Sequence, residues 1–204
     1  MLDKISVVVT CHNHEAYIEQ CLRSVFAQTY RNIELLVFND GSTDQSGQVI
    51  EKILKESPFS ETFYFSEENR GIVSIRNDAL TKIKGDFLLF VDSDNYLDDQ
   101  YIEILHQSLQ EQNVDIAYCQ LWDFVNSRQV LRDDLEFSLD KELEGNLIDM
   151  SSLVRVSKIL NVRFDEQLNH KALEDYDFWL SLILINHAKP IFVKGIKLNY
   201  RVLN

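Results

Sequence analysis

Two carboxylates one residue apart stand at the end of an apolar run near the middle of the chain. The run Phe87-Leu88-Leu89-Phe90-Val91 is followed at once by Asp92-Ser93-Asp94. A run that is apolar on both faces is typical of a buried strand in a sheet covered by helices, and ligands bind just beyond the carboxyl ends of such strands. Carboxylate oxygens there suit Mg²⁺ or Mn²⁺ bound together with substrate phosphates. The same triplet is equally compatible with a turn that caps a helix beginning near Asp98.

Polar side chains follow the other predicted strands at the same edge. Thr10, His12 and Asn13 follow the first strand, Asp40 follows the second, and Arg76 lies one turn into the third helix. The chain has neither a G-x-G-x-x-G motif after its first strand nor a G-x-x-x-x-G-K-[ST] motif, which argues against a dinucleotide oxidoreductase and a P-loop enzyme. Without a glycine-rich cradle, bound phosphates need another source of positive charge, and a metal on the two aspartates is the available candidate.

A second acidic cluster, Glu174-Asp175-Tyr176-Asp177, stands at the start of a predicted helix. At helical spacing Glu174 and Asp177 share a face and Asp175 points elsewhere. A carboxylate here is a candidate general base that takes a proton from an acceptor hydroxyl. Acidic residues also favour the first turn of any helix, because the helix macrodipole is positive there. Taken alone, the cluster favours this second interpretation.

The elements that must position these residues alternate between strand and helix over the first half of the chain. β-Branched and apolar runs predict strands at residues 5–10, 33–38, 62–65 and 87–91. Apolar residues at helical spacing predict helices at residues 15–26, around 49–54 and over 72–83. Residues 39–44 predict a turn and a helix N-cap. This order predicts a parallel sheet with right-handed crossovers.

Beyond the aspartates the pattern is less regular. We predict helices at residues 101–109, 150–160 and 173–187, and strands at 115–124 and 191–200. The polar segment 126–145 carries an acidic run and is interpreted as a solvated loop. The chain shows no repeat, low-complexity tract or linker, so residues 1–204 are predicted to form a single α/β domain.

The composition limits the classes of partner. With 204 residues, 45% hydrophobic and 26% charged, the chain has the balance of a globular domain that can bury a core. Its formal net charge of −13 argues against nucleic-acid binding and against a general attraction to anionic lipid. Three scattered cysteines are expected to be reduced thiols. Without a signal peptide or a membrane-spanning run, the chain is expected to be soluble and cytoplasmic, with a peripheral position at the inner face of a membrane left open.

Six segments, in a fixed order and spacing, resemble a known family. They are residues 6–13, 21–30, 33–44, 69–71 with Arg76-Asn77, 85–94 and 174–180. Together they cover nearly the whole chain and resemble a family 2 glycosyltransferase of the GT-A fold, a Rossmann-like α/β domain with a mainly parallel central sheet. The resemblance implies a nucleotide-sugar-binding half at residues 1–95 and a mixed acceptor and catalytic-base half at 96–204.

The resemblance also implies roles for individual residues. The implied donor-binding residues are Thr10, His12 and Asn13 near the nucleotide base, Asp40 at the uracil or ribose, Arg76 near the diphosphate, Asp92 and Ser93. Asp92 and Asp94 match the D-x-D motif that binds Mn²⁺ or Mg²⁺, with Asp94 as the direct ligand. Asp175 matches the catalytic base, with Glu174 and Asp177 as supporting carboxylates. A solvated helix arginine remains the alternative for position 76.

Three positions depart from the family pattern. Asn95 replaces a third acidic residue, Ser181 stands where an arginine is frequent, and Leu203 replaces the histidine of a Y-R-x-H ending. Because that histidine often completes the family's metal site, we expect a weaker metal site, a ligand from elsewhere, or reduced activity. Relatives usually continue beyond this point into an acceptor-binding extension.

The activity implied by the resemblance is inverting sugar transfer. The donor would be a nucleotide-sugar, with UDP preferred, and the acceptor a hydroxyl on a glycan, a glycoprotein or a lipid-linked saccharide. Two other classes stay open: a sugar-nucleotidyltransferase, whose glycine-rich basic loop is not found here, and a non-catalytic nucleotide-binding relative or subunit of a larger transferase. Self-association into a homo-oligomer is also compatible with the apolar final helix and strand.

Overall fold

A computed structural model describes residues 2–130, 136–171 and 173–202. Within these ranges eight strands form one sheet in the order β3-β2-β1-β4-β7-β5-β6, with β8 paired to β5. The strands are β1 (Ile5–Cys11), β2 (Ile33–Asp40), β3 (Glu61–Glu67), β4 (Phe87–Asp92), β5 (Ile116–Asp123), β6 (Arg128–Gln129), β7 (Leu153–Arg155) and β8 (Pro190–Tyr200). The helices are α1 (Ile18–Phe26), α2 (Ser46–Leu54), α3 (Ile72–Lys82), α4 (Tyr101–Gln112), α5 (Leu139–Glu144) and α6 (Glu174–Leu184).

The first four strands are parallel, and β1 lies between β2 and β4. Every residue of β1 and β2 is buried, as expected for strands covered by helices on both faces. Side chains of β1 alternate between two cores: Val7 and Val9 pack with α1, α2 and α4, and Val8 packs with α3 and α6. The predicted α/β class and the β-α-β-α-β-α-β order of this half are therefore confirmed.

The register of these strands brings their carboxyl ends to one edge. Thr10 at the end of β1 is paired with Phe38 on one side and with Asp92 on the other. The segments that follow β1, β2 and β4 therefore start side by side. This edge is where the predicted site residues of the first half meet.

Residues 150–160, predicted as a helix, are a strand followed by a 3₁₀ turn. β7 pairs antiparallel with both β4 and β5, and the turn spans Val156–Lys158. Leu153 and Val154 are buried in the cores on opposite faces of the sheet, which is the alternation of a strand. The helical prediction was wrong because pairing with two distant strands outweighs the local apolar spacing.

Residues 126–145, predicted as a solvated loop, contain short regular elements. β6 pairs with the end of β5, and α5 begins after Ser138, whose hydroxyl accepts a hydrogen bond from the main-chain N–H of Lys141. Glu142 of α5 is fully buried and accepts from the N–H of Leu147 at 3.1 Å. The loop prediction was wrong for these parts, while Asp133 and Asp134 of the acidic run lie outside the described residues.

Two further sequence predictions concern thiols and membranes. Cys11, Cys21 and Cys119 are all free and buried, in agreement with the expected thiols. Across the described ranges, no helix has the length and apolar character needed to cross a bilayer.

Candidate functional site

A cavity of about 520 Å³ lies at the carboxyl edge of β1, β2 and β4. Six predicted site residues line it: Thr10, His12, Asp40, Asp92, Ser93 and Asp94. The other lining residues are Cys11, His14, Asn69, Gly71, Ile72, Ile75, Asn95, His170 and Tyr200. His170 and Tyr200 come from the second half of the chain, so both halves form the wall.

Asp40 organises one wall of the cavity. Its carboxylate accepts hydrogen bonds from the main-chain N–H groups of Arg70 at 2.7 Å and Gly71 at 2.9 Å. Gly71 has a φ of +83°, a conformation that L side chains rarely adopt, and an added Cβ would lie 2.4 Å from the side chain of Asn169. The buried carboxylate thus holds the turn before α3 in place.

His12 lies exposed at the mouth of the cavity in a fixed orientation. Its Nδ1 donates to the main-chain oxygen of Asp40 at 2.6 Å, so Nε2 can accept from the side-chain amide of Asn13 at 3.1 Å. The side-chain oxygen of Asn13 in turn accepts from the N–H of Thr43 at 2.7 Å. Asn13, a predicted site residue, is absent from the described cavity lining and instead connects the loops that follow β1 and β2.

Arg76 joins the two acidic clusters. Its guanidinium contacts Asp92 Oδ1 at 3.1 Å and Glu174 Oε1 at 3.0 Å. The side chain is only 4% exposed and lies beside the rings of Phe90 and Phe164, 5.9 and 5.7 Å from their centroids. Arg76 is therefore not a solvated helix arginine but the shared counter-ion of two carboxylates on opposite halves of the chain.

Asp94 lies in a different electrostatic environment from its neighbour. Burial, followed by the charge of Asp92, raises the pKa of the Asp94 carboxyl, while His14 and Arg201 oppose this effect. Between the two aspartates, the fully buried Ser93 places its hydroxyl 2.8 Å from Nδ1 of His14. The mutual repulsion of the Asp92 and Asp94 charges forms an environment in which a bound cation is favoured.

Asp175 lies at the start of α6 and is oriented by a neighbouring amide. Its Oδ2 accepts from the side chain of Asn146 at 2.9 Å, and its Oδ1 accepts from the N–H of Tyr176 at 2.8 Å. Burial is the main cause that raises the pKa of this carboxyl, and the charge of Glu174 adds to it. A carboxylate whose pKa is moved upward is a better proton acceptor near neutral pH.

Asp177 does not share this arrangement. Burial, followed by the charge of Asp165, raises the pKa of the Asp177 carboxyl. Like Glu174 and Asp175, it is absent from the described residues that line the cavity. Glu174 differs from Asp177 by its direct contact with Arg76.

Three residues near the site were missed by sequence reasoning. Burial, and then the charge of Asp92, raises the pKa of Asp149 to about 7. Burial and the charges of Asp149, Asp92, Asp94 and Asp175 raise the pKa of Tyr200 to about 12. For Asp149 the available signal is a lone acid in the apolar run 147–150, and for His14 it is the H-x-H spacing after β1. Tyr200 is the first residue of the Y-R-x-H ending, which served only to locate position 203.

Comparisons with known proteins bear on the family and the fold. The model of the family described as "Glycosyl transferase family 2" matches residues 6–192. Glycosyltransferase GlyA of Streptococcus pneumoniae is 40% identical over 129 residues, which are 61% of this chain and 18% of GlyA. An uncharacterized glycosyltransferase of Haemophilus influenzae is 30% identical over 203 residues, covering 93% of this chain and 78% of that protein.

Solved structures show the same fold. Residues 1–349 of S. aureus TarS superpose with a TM-score of 0.82 at 26% identity, covering 98% of this chain and 60% of TarS 1–349. That TarS fragment has also been solved with UDP-GlcNAc, with a TM-score of 0.80. The mannosyltransferase PcManGT of Pyrobaculum calidifontis, at 17% identity and a TM-score of 0.79, shows the fold alone. The chain spans less than a fifth of GlyA and about three fifths of the TarS fragment.

Proposed function

Because this chain belongs to glycosyl transferase family 2 and has the GT-A fold, we propose that it transfers a sugar from a UDP-sugar to an acceptor hydroxyl with inversion. The observation that carries the proposal is the ion bridge through Arg76. It brings Asp92, at the end of β4, and Glu174, beside Asp175 on α6, to the same guanidinium. Asp92, which lines the cavity, is thus joined through one guanidinium to the acidic cluster of α6, and this brings together the two sets of carboxylates that a group transfer between two substrates requires.

The donor would occupy the cavity between β1, β2 and β4. Thr10, His12 and Asp40 line the part next to the Asp40 turn, and Asp92, Ser93 and Asp94 line the part at the end of β4. The choice of UDP is supported by TarS, a relative of 26% identity that binds UDP and UDP-GlcNAc. We place the base and ribose against the Asp40 wall and the diphosphate against the aspartate pair.

Mn²⁺ or Mg²⁺ fits the donor set of Asp92 and Asp94. Thr10 and Arg76 both contact Asp92 at Oδ1, which leaves Oδ2 for a ligand. No group of three metal-ligating His, Cys, Asp or Glu side chains converges within the described part of the chain, so phosphate and water oxygens would complete the coordination. When bound, such an ion neutralises charge on the departing diphosphate. Leu203, at the family's histidine position, lies outside the described residues.

Asp175 is assigned as the general base. The raised pKa of its carboxyl favours uptake of the proton of the acceptor hydroxyl. The hydrogen bond from Asn146 orients the carboxylate. The acceptor oxygen then forms a bond to the anomeric carbon as the bond to the diphosphate oxygen breaks, and UDP leaves with the electron pair. Glu174 holds Arg76 beside this step. Asp177 has no role in this scheme.

The other features of the proposal concern the whole protein. We assign residues 1–95 to the donor and 96–204 to the acceptor and base within one domain. The acceptor is taken to be a glycan, glycoprotein or lipid-linked saccharide hydroxyl. Self-association is a separate hypothesis, and a monomeric mass by light scattering would remove it.

Calorimetric titration with UDP, with and without Mn²⁺, tests the donor and metal assignments. Wild type is compared with Asp94→Ala and with Glu51→Ala, which removes an exposed carboxylate on α2 away from the cavity. We expect Mn²⁺-dependent UDP binding in wild type and Glu51→Ala, and about tenfold or greater weakening in Asp94→Ala. Unchanged affinity in Asp94→Ala would remove the metal assignment. Absence of UDP binding in wild type would instead favour a non-catalytic relative or a donor with a nucleotide base other than uracil.

A further inference from the structure

Two arginines contact the Asp92-Ser93-Asp94 triplet in different ways. Arg76 binds the carboxylate of Asp92. Arg201, from the segment after β8, donates from Nε to the main-chain oxygen of Asp94 at 3.0 Å. Its own main-chain N–H donates to Oδ1 of the buried Asn95 at 2.9 Å. Arg201 therefore fixes the backbone of the triplet and leaves the Asp94 carboxylate to the cavity.

The guanidinium of Arg201 is itself held on both faces. It lies 4.2 Å from the ring centroid of Tyr17 and 4.6 Å from that of Phe124. A third contact, from its NH2 to Gln20 Oε1 at 2.9 Å, fixes the rotation of the planar group. Stacking on two aromatic rings together with directed donors is a geometry that arginine provides and lysine does not.

Both rings are anchored to the same loop. Phe124 packs edge-on against Tyr96, which follows the triplet, at 4.9 Å between centroids. Tyr17 packs edge-on against His14 at 5.8 Å, and His14 lies 2.8 Å from the Ser93 hydroxyl. The stack of Tyr17, Arg201 and Phe124 thus spans the triplet loop from one end to the other.

We propose that Arg201 is a positioning residue that, through its stack on Tyr17 and Phe124, holds the main chain of Asp94 so that the carboxylate faces the donor diphosphate. This inference rests on the proposed function. Arg201 does not line the cavity among the described residues, so its influence on the donor passes through Asp94. Its removal is expected to weaken the metal-dependent part of donor affinity and to spare the part supplied by the Asp40 wall.

The test compares UDP affinity with and without Mn²⁺ in four variants. Arg201→Ala removes both the stacking on the two rings and the hydrogen bond to the main-chain oxygen of Asp94, whereas Arg201→Lys keeps only the positive charge. Tyr17→Leu removes one of the two rings, and Tyr17→Phe keeps that ring. We expect about tenfold weaker UDP binding in Mn²⁺ for Arg201→Ala, with metal-free affinity within about twofold of wild type. Arg201→Lys should recover little, and Tyr17→Phe should match wild type. Arg31→Ala, an exposed arginine before β2, is the matched control.

Two results would overturn the inference. The first is UDP binding by Arg201→Ala in Mn²⁺ that equals that of wild type. The second is an equal loss of UDP affinity with and without Mn²⁺, which is the behaviour of a general scaffold residue. If Arg201→Ala does not fold by circular dichroism, Arg201→Lys and Tyr17→Leu carry the same test. If wild type binds no UDP at all, the proposed function fails, and Mn²⁺ binding measured by electron paramagnetic resonance on wild type and Arg201→Ala still decides the role of Arg201. Equal Mn²⁺ affinity in wild type and Arg201→Ala, or no Mn²⁺ binding by wild type, then counts against the proposed role of Arg201.

Discussion

The first half of this molecule, residues 1–95, and the second half, residues 96–204, are built by different rules. In the first half, consecutive strands pair in parallel around β1, and each strand end supplies one part of the cavity. In the second half, β7 enters antiparallel between β4 and β5, and β8 pairs with β5 through an irregular register. The first half therefore follows its local sequence, whereas the second follows partners that are distant in the chain.

The candidate site depends on contacts that join the two halves. Arg76 and Glu174 are 98 residues apart, and Arg201 and Asp94 are 107 residues apart. Each of these contacts connects a strand-end loop of the first half to an element of the second. Changes at the joining residues are therefore the sharpest way to separate the contributions of the two halves.

The largest effect, a loss of kcat, is expected from substitution of Asp175, the proposed general base. Asp175→Asn keeps the size of the side chain but removes its ability to take a proton, so kcat should fall by about 10²- to 10⁴-fold. UDP affinity, a property of the first half, should stay within about twofold of wild type because the variant leaves the cavity wall unchanged. Turnover and calorimetry on the same preparation measure both quantities.

Asp177→Asn is the matched control for this change. It lies two residues further along α6, and its charged neighbour is Asp165 instead of Arg76. We expect nearly wild-type turnover for Asp177→Asn. An equal loss of kcat in the two variants would contradict the assignment of Asp175 as the base.

The next largest effect, on the free energy of unfolding, is expected from loss of the ion bridge through Arg76. Arg76→Met removes the shared counter-ion of Asp92 and Glu174 and should lower the free energy of unfolding by about 3–5 kcal/mol, because two carboxylates lose their buried partner. Adding Glu174→Gln should recover part of this loss. Urea denaturation measures both, and a double variant no more stable than Arg76→Met would show that the bridge does not couple the halves.

The smallest effect is expected in the pH dependence of stability, through Asp149 in the second half of the chain. The pKa of Asp149 is raised to about 7 in the folded chain, whereas an unfolded aspartate titrates near about 3.9. Because the folded state holds this proton more tightly, the carboxyl lowers stability as the pH rises from about 4 to about 7. Asp149→Asn should therefore be more stable than wild type at pH 7.5 by on the order of 1–3 kcal/mol, and should gain little at pH 4.

Denaturation curves at the two pH values measure this difference. Asp140→Asn, an exposed aspartate of α5, serves as the control and should show no such pH-dependent gain. A gain for Asp149→Asn that is the same at both pH values would contradict the buried environment of this carboxyl.

The success of the sequence predictions follows the same division. The strands and helices up to β4 were predicted because long apolar runs and helical spacing are local signals. Residues 150–160 were predicted as a helix because Met150, Leu153 and Val154 also fit helical spacing, and only pairing with β4 and β5 makes residues 153–155 a strand. The small elements at residues 128–129 and 139–144 were missed because short segments have weak periodicity.

The candidate site divides in the same way. Asp92, Asp94, Asp40 and Asp175 were selected from the sequence because each follows a strand or opens a helix, and the family resemblance gave them roles. Asn146, Asp149 and Arg201 were not selected. Each acts on a residue 29 or more positions away, or on several charges at once, so neighbouring residues in the chain do not reveal its contacts.

By itself, the sequence determined the family, the parallel sheet of the first half and the carboxylates of the candidate site. These depend on apolar periodicity and on residue types at strand ends, which are local properties of a chain. Only the tertiary structure decided which counter-charges those carboxylates have: Arg76 between Asp92 and Glu174, and Arg201 on the backbone of Asp94. Charge interactions and burial act through space, so the environment of each carboxylate is fixed only when both halves are packed together.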